Sequence, residues 1–118
     1  MEKPGPELVA LFDRVLPDAP GVERKKMFGM PAAFVNGNMF LGAMGGILIL
    51  RLPPDARAAL LDLGGEPFAP RGPVMREYVA LPEKLLGDEE FVRAWAVRSA
   101  EFAGALPPKT PKPRRKSA

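Results

Sequence analysis

Arg24 to Leu52 reads RKKMFGMPAAFVNGNMFLGAMGGILILRL, and its turn chemistry decides the fold. Asn36-Gly37 stands between Ala33-Phe34-Val35 and Asn38-Met39-Phe40-Leu41. An Asn-Gly pair accommodates the two positive φ angles of a type I′ hairpin turn better than almost any other dipeptide. Gly45-Gly46 supplies a second two-residue turn before Ile47-Leu48-Ile49-Leu50, a branched run too short between glycines to prefer a helix. The pair of turns predicts an antiparallel meander of three strands, entered through the polar edge Glu23-Arg24-Lys25-Lys26.

With loops at 36–37 and 45–46, Phe34 stands opposite Met39 and Leu41 opposite Leu50. Alternation then puts Ala32, Phe34, Met39, Leu41, Ala43, Leu48, Leu50 and Leu52 on one face, wholly apolar and expected to receive helices. The other face carries Ala33, Val35, Asn38, Phe40, Gly42, Met44, Ile47, Ile49 and Arg51, too apolar to meet only water. Phe40, Met44, Ile47 and Ile49 are expected to form a self-association or partner-binding patch, unless the fifth strand or the chain's ends cover them. Arg51 is expected at its rim, opposite Phe40, in a cation–π contact.

Outside the meander the patterning is mostly helical. Pro6 suits the first turn of a helix, and Leu8, Val9, Leu11, Phe12, Val15 and Leu16 recur at helical spacing until Pro17 and Pro20 end it. Pro53-Pro54-Asp55 opens a second helix with Ala56, Ala59, Leu60 and Leu63 on its buried side, and Gly64 stops it. Glu66-Pro67-Phe68-Ala69 reads as a short edge strand, and Met75–Leu81 as a better one, joined by the loop Pro70-Arg71-Gly72-Pro73. Asp88 caps a last helix whose stripe is Phe91, Trp95, Ser99, Phe102 and Leu106. Trp95, at helical spacing among phenylalanines, reads as core rather than as a ligand platform. The order α-β-β-β-α-β-β-α gives an α+β fold, with helices packed on one face of a mainly antiparallel sheet.

At 118 residues the chain suits a single domain, placed at 1–106. It has neither cysteine nor histidine, which removes thiolate nucleophiles, structural zinc and Ser-His or Cys-His pairs, and no cofactor is expected. No apolar run approaches the roughly 20 residues of a membrane span, and the expectation is a soluble cytoplasmic protein. Lys109, Lys112, Arg114, Arg115 and Lys116 hold five of the 17 basic residues, so residues 1–106 set 12 basic against 14 acidic side chains, a net charge of −2. The Pro-rich segment 107–118 is read as a disordered basic tail, either a solubilising end or a weak, sequence-independent contact for nucleic acid.

Catalytic constellations are absent from the pattern. Ser99 is the one serine or threonine before the tail, lies on the helix stripe and has no histidine to activate it. Glu89 and Glu90 are adjacent on a helix and point apart, and Gly42, Gly45 and Gly46 precede a strand rather than a helix, so they do not make a phosphate loop. Two readings from different classes stand. One is a non-enzymatic interaction module that binds a protein partner or a second copy and touches nucleic acid through Arg24, Lys25, Lys26 and the tail. The other is a small-ligand-binding or catalytic domain using a polar cluster of Arg51, Arg71, Arg76, Glu77 and Tyr78. A deep polar pocket at Tyr78 would favour the second, and a flat surface there the first.

Arg24-Lys25-Lys26-Met27-Phe28-Gly29-Met30, followed by Phe34-Val35-Asn36-Gly37-Asn38-Met39-Phe40 and by Met75-Arg76-Glu77-Tyr78 with Pro82, resembles the N-terminal domain of the TfoX/Sxy family over residues 7–106. The glycine-and-tyrosine continuation common in that family after Met-Phe-Gly is here Met30-Pro31-Ala32-Ala33. The resemblance implies kinship with bacterial competence regulators, which act with a transcription factor rather than as enzymes, and it supplies no catalytic residues.

Overall fold

A computed structural model describes residues 3–69 and 72–108. Three α-helices, α1 (Pro6–Val15), α2 (Pro54–Asp62) and α3 (Glu89–Ala105), accompany strands β1 (Val22–Met27), β2 (Met30–Val35), β3 (Asn38–Met44), β4 (Ile47–Arg51), β5 (Glu66–Pro67) and β6 (Tyr78–Leu81). The strands form one antiparallel sheet in the order β1-β2-β3-β4-β6-β5. This is the α+β architecture expected, with one addition: the meander has four strands, because the polar edge at 22–27 is a strand in its own right. Phe28-Gly29 makes the extra turn at φ 54° and 80°, matching the 54° and 79° of Asn36-Gly37. A phenylalanine in that position carries none of the asparagine signal by which such turns are read. Met75–Tyr78 is a turn closed by the Tyr78 amide on the Met75 carbonyl at 3.0 Å, so the last long strand is shorter than its pattern predicts.

Phe34 pairs with Met39 and Leu41 with Leu50, as the loop lengths require. Between them a β-bulge intervenes. Ala33 faces Leu41 and Phe34 faces Met39, which leaves Phe40 without an opposite number. A bulged residue and its successor turn to the same side. Phe40 and Leu41 are accordingly both fully buried beneath the helices. The bulge reverses the predicted faces on its N-terminal side: Ala33 and Val35, not Ala32 and Phe34, enter the helix-side core, and Met39 joins the opposite face. On its C-terminal side Leu41, Ala43, Leu48, Leu50 and Leu52 face the helices as predicted.

Phe12 and Val15 of α1, Ala56 and Leu60 of α2, and Val92, Ala96 and Ala103 of α3 complete that core. The α3 stripe lies one position round from the expected one, because small side chains let the helix approach the sheet closely. Trp95 is buried as expected, with the Arg98 guanidinium 4.4 Å above its ring. Asp88 caps the helix by accepting from the Phe91 amide at 3.2 Å. At the other end Asn38 Nδ2 donates to the carbonyls of Ala103 and Pro107, at 3.3 and 3.2 Å, and Asn36 Nδ2 to that of Gly104 at 3.2 Å. The hairpin turn thus supplies donors that the last helical carbonyls lack. Among the described residues no helix is long and apolar enough to cross a membrane.

Glu89 joins α1 to α3, accepting from Arg14 Nε at 2.9 Å and from an Arg93 guanidinium nitrogen at 2.7 Å. These hydrogen bonds hold its carboxyl below the ordinary glutamate range. A depressed folded-state value means that the contribution is present above the unfolded value, about 4.3, and is lost as pH falls through the folded one. Glu89→Gln should therefore be the less stable protein at neutral pH, with the gap from wild type closing in acid below about pH 4. Urea melts across pH measure it; a constant gap would contradict the assignment.

Candidate functional site

The sheet face away from the helices carries a groove of about 690 Å³. Ala32, Met39, Gly42 and Ile49 form its floor, Met27, Phe28 and Met30 one wall, and Phe68, Pro73, Met75 and Tyr78 the other. The second wall is held by a backbone bond, the Met75 amide donating to the Phe68 carbonyl at 2.8 Å, while Phe68 is buried edge-on against Tyr78 at 6.4 Å between centroids. Five of the six methionines line this one surface. Unbranched, polarizable side chains of this kind adapt to differently shaped apolar partners.

The predicted patch is only partly here. Ile49 packs under Phe68 and Tyr78, while Met44 and Ile47 are half-buried beside it. Phe40 is corrected outright: the bulge turns it to the other side of the sheet, so it is core and the expected Arg51–Phe40 cation–π contact does not form. Arg51 instead lies opposite Tyr78 in register, with Nε 2.6 Å from a carboxylate oxygen of Glu77. Arg24, Lys25 and Lys26 do not act as one patch. Arg24 reaches Asp13 at 2.6 Å and stacks 5.6 Å above Phe12 on the helix side, whereas Lys25 lies 5.4 Å above Phe34 on the open face. Lys26 and Arg76 are exposed. Arg71 and the tail cations Lys109, Lys112, Arg114, Arg115 and Lys116 fall outside the described residues.

Polar groups near the groove are engaged within the fold. Tyr78 donates to the Met39 carbonyl at 3.4 Å; burial raises its phenol pKa, Arg51 opposes that and Glu77 adds to it. Ser99 sits beneath the sheet, its hydroxyl 2.6 Å from the Phe40 carbonyl and 2.7 Å from that of Arg51, and it accepts from the Arg51 amide at 3.1 Å. Its work is to satisfy backbone groups around the bulge and the end of β4. Among the described residues no buried side-chain polar atom lacks a partner, and no trio of carboxylates is placed to hold a metal. The pocket at Tyr78 is thus neither deep and polar nor flat; it is concave and apolar.

Phe28 is the functional candidate that the sequence reading missed. It is 86% exposed and holds a left-handed backbone conformation that bulky residues rarely adopt. Met27 and Met75, which also line the groove, are exposed as well. The available signal was the Phe-Gly pair two residues after a basic run, which reads as a turn only once β1 and β2 are separated.

The family model described as the TfoX N-terminal domain matches residues 14–103. No curated protein matches the chain.

Ser99→Ala should fold but lose about 1–3 kcal/mol, because the one hydroxyl proton shared between the buried Phe40 carbonyl and the part-buried Arg51 carbonyl is lost, and the Arg51 amide loses its acceptor. Chemical denaturation reads the loss, and an unchanged midpoint would contradict it. Phe28→Asn should raise stability by about 0.5–1 kcal/mol, since asparagine tolerates the left-handed conformation. A lower melting temperature for that variant would show that Phe28 contributes packing which its exposure denies.

Proposed function

The chain belongs to the TfoX N-terminal domain family, and from that premise we propose that it is a cytoplasmic, non-catalytic binding module whose open sheet face holds an apolar segment of a protein partner. The observation that carries this reading is the gathering of five methionines and an exposed, left-handed Phe28 around one groove that, among the described residues, no helix covers. Its volume of about 690 Å³ lies in the range of pockets that seat a few apolar side chains or a small ligand. A concave, mostly apolar lining with a few polar groups is the usual form of a binding site. The resemblance to competence regulators that act with a transcription factor supports the same role. The basic tail adds a weak, salt-sensitive contact with nucleic acid.

A catalytic or polar-ligand reading of Arg51, Arg76, Glu77 and Tyr78 has less support. Arg51 and Glu77 neutralise one another, Tyr78 is committed to a backbone carbonyl, and a raised phenol pKa disfavours its use as a base.

Gly42 gives a direct test. A side chain there would rise from the groove floor; its first atom would meet the flexible Met39 methyl at 2.7 Å and Ile49 Cγ1 at 3.2 Å. Peptides selected from a phage library on wild type should share an apolar consensus and lose binding to Gly42→Leu. Phe28→Asn, predicted to be more stable than wild type, should also weaken them, so that unfolding is not the cause. Absence of a consensus, or full binding to both variants, would overturn the reading.

A further inference from the structure

Among the described residues that line the groove, Tyr78 alone carries a side-chain oxygen or nitrogen, and five of the others are methionines. Tyr78 stands opposite Arg51 of β4, yet its hydroxyl reaches the Met39 carbonyl on β3, so the ring lies across β4 with its oxygen beside the floor. A phenol has one proton to give and two lone pairs to offer. The proton is directed at Met39, and burial keeps it on the oxygen by raising the phenol pKa. Among the described residues no group donates to that oxygen in return. What the lining side chains offer an occupant is therefore one acceptor, set among thioethers.

Resting on the reading of the groove as the seat of a partner's apolar segment, we infer that the segment is anchored by a tryptophan, its ring among the methionines and its indole N–H donating to Tyr78 Oη. The indole nitrogen is a donor only, so it matches a lone acceptor and leaves nothing of its own unpaired. A partner tyrosine would bring an acceptor oxygen that also needs a donor, and a lysine or arginine would strand a charge away from water. Leucine or phenylalanine would cover the Tyr78 oxygen and leave it dry, at the cost of its desolvation. Thioether sulfurs pack favourably against aromatic rings, and tryptophan is among the residues enriched at the anchoring points of protein interfaces. A groove of about 690 Å³ seats that side chain with room for its neighbours.

The test uses the full chain. The consensus selected on it from a phage library should contain a tryptophan. A synthetic peptide of that consensus is then compared with a twin in which benzothienylalanine replaces tryptophan, which keeps the bicyclic shape and exchanges the N–H for sulfur. Wild type should bind the tryptophan peptide about three- to tenfold tighter than the twin, the worth of one hydrogen bond. Tyr78→Phe should show no preference between the two, and its binding of the twin shows that the groove is intact. An apolar consensus that lacks tryptophan and is lost on Gly42→Leu would overturn the inference and leave the groove reading standing. Equal affinity of the two peptides for wild type, or a preference that survives in Tyr78→Phe, would overturn it as well. Absence of any consensus would remove both readings.

Discussion

The bulge at Phe40 is the constraint on which the other features depend. By inserting one residue into β3 it sends both Phe40 and Leu41 into the helix-side core. It also sends Met39 to the other face and opens the ladder at the Phe40 carbonyl. An open carbonyl in a dry core costs more than most single contacts return. Ser99 offsets that cost from α3, and its hydroxyl also meets the end of β4. The bulge, the placement of α3 and the composition of the open face are therefore one solution. A regular ladder would leave Ser99 facing bonded carbonyls and would return Met39 to the helices.

Turn chemistry made most of the fold legible. Asn36-Gly37 and Gly45-Gly46 set the registers of β2 with β3 near the turn and of β3 with β4, and Asp88 marked the start of α3. The turn at Phe28-Gly29 was hidden because its first residue pays a steric cost where asparagine would not. The bulge was hidden for a different reason. Period-two alternation cannot distinguish a regular strand from one that repeats a face, when Phe40 and Leu41 are both apolar and either side of the sheet accepts them. That single ambiguity displaced Phe40 from core to surface in the sequence reading and hid Met39 as part of the groove. The bond from Met75 to Phe68 was unreadable on other grounds, since it joins backbone groups whose side chains carry no trace of it.

The asparagines flanking Gly37 do more than turn the chain. Their amides reach carbonyls 65 to 69 residues away at the end of α3 and just beyond it. A local hairpin signal and a long-range helix cap thus use the same tripeptide. Replacing Asn38 by a residue equally content at the start of a strand would keep the turn and lose the clasp.

Both borders of the sheet discourage extension by another strand. β1 presents Glu23, Arg24, Lys25 and Lys26 at one border, and at the other β5 is only two residues long and contains Pro67, which has no amide hydrogen to donate. Charged or proline-bearing edges resist the strand-to-strand association that leads to fibrils. A protein that exposes so much methionine and phenylalanine on one face has most need of such edges. Association is thereby directed away from open-ended stacking and toward a visitor of finite size that approaches over the face.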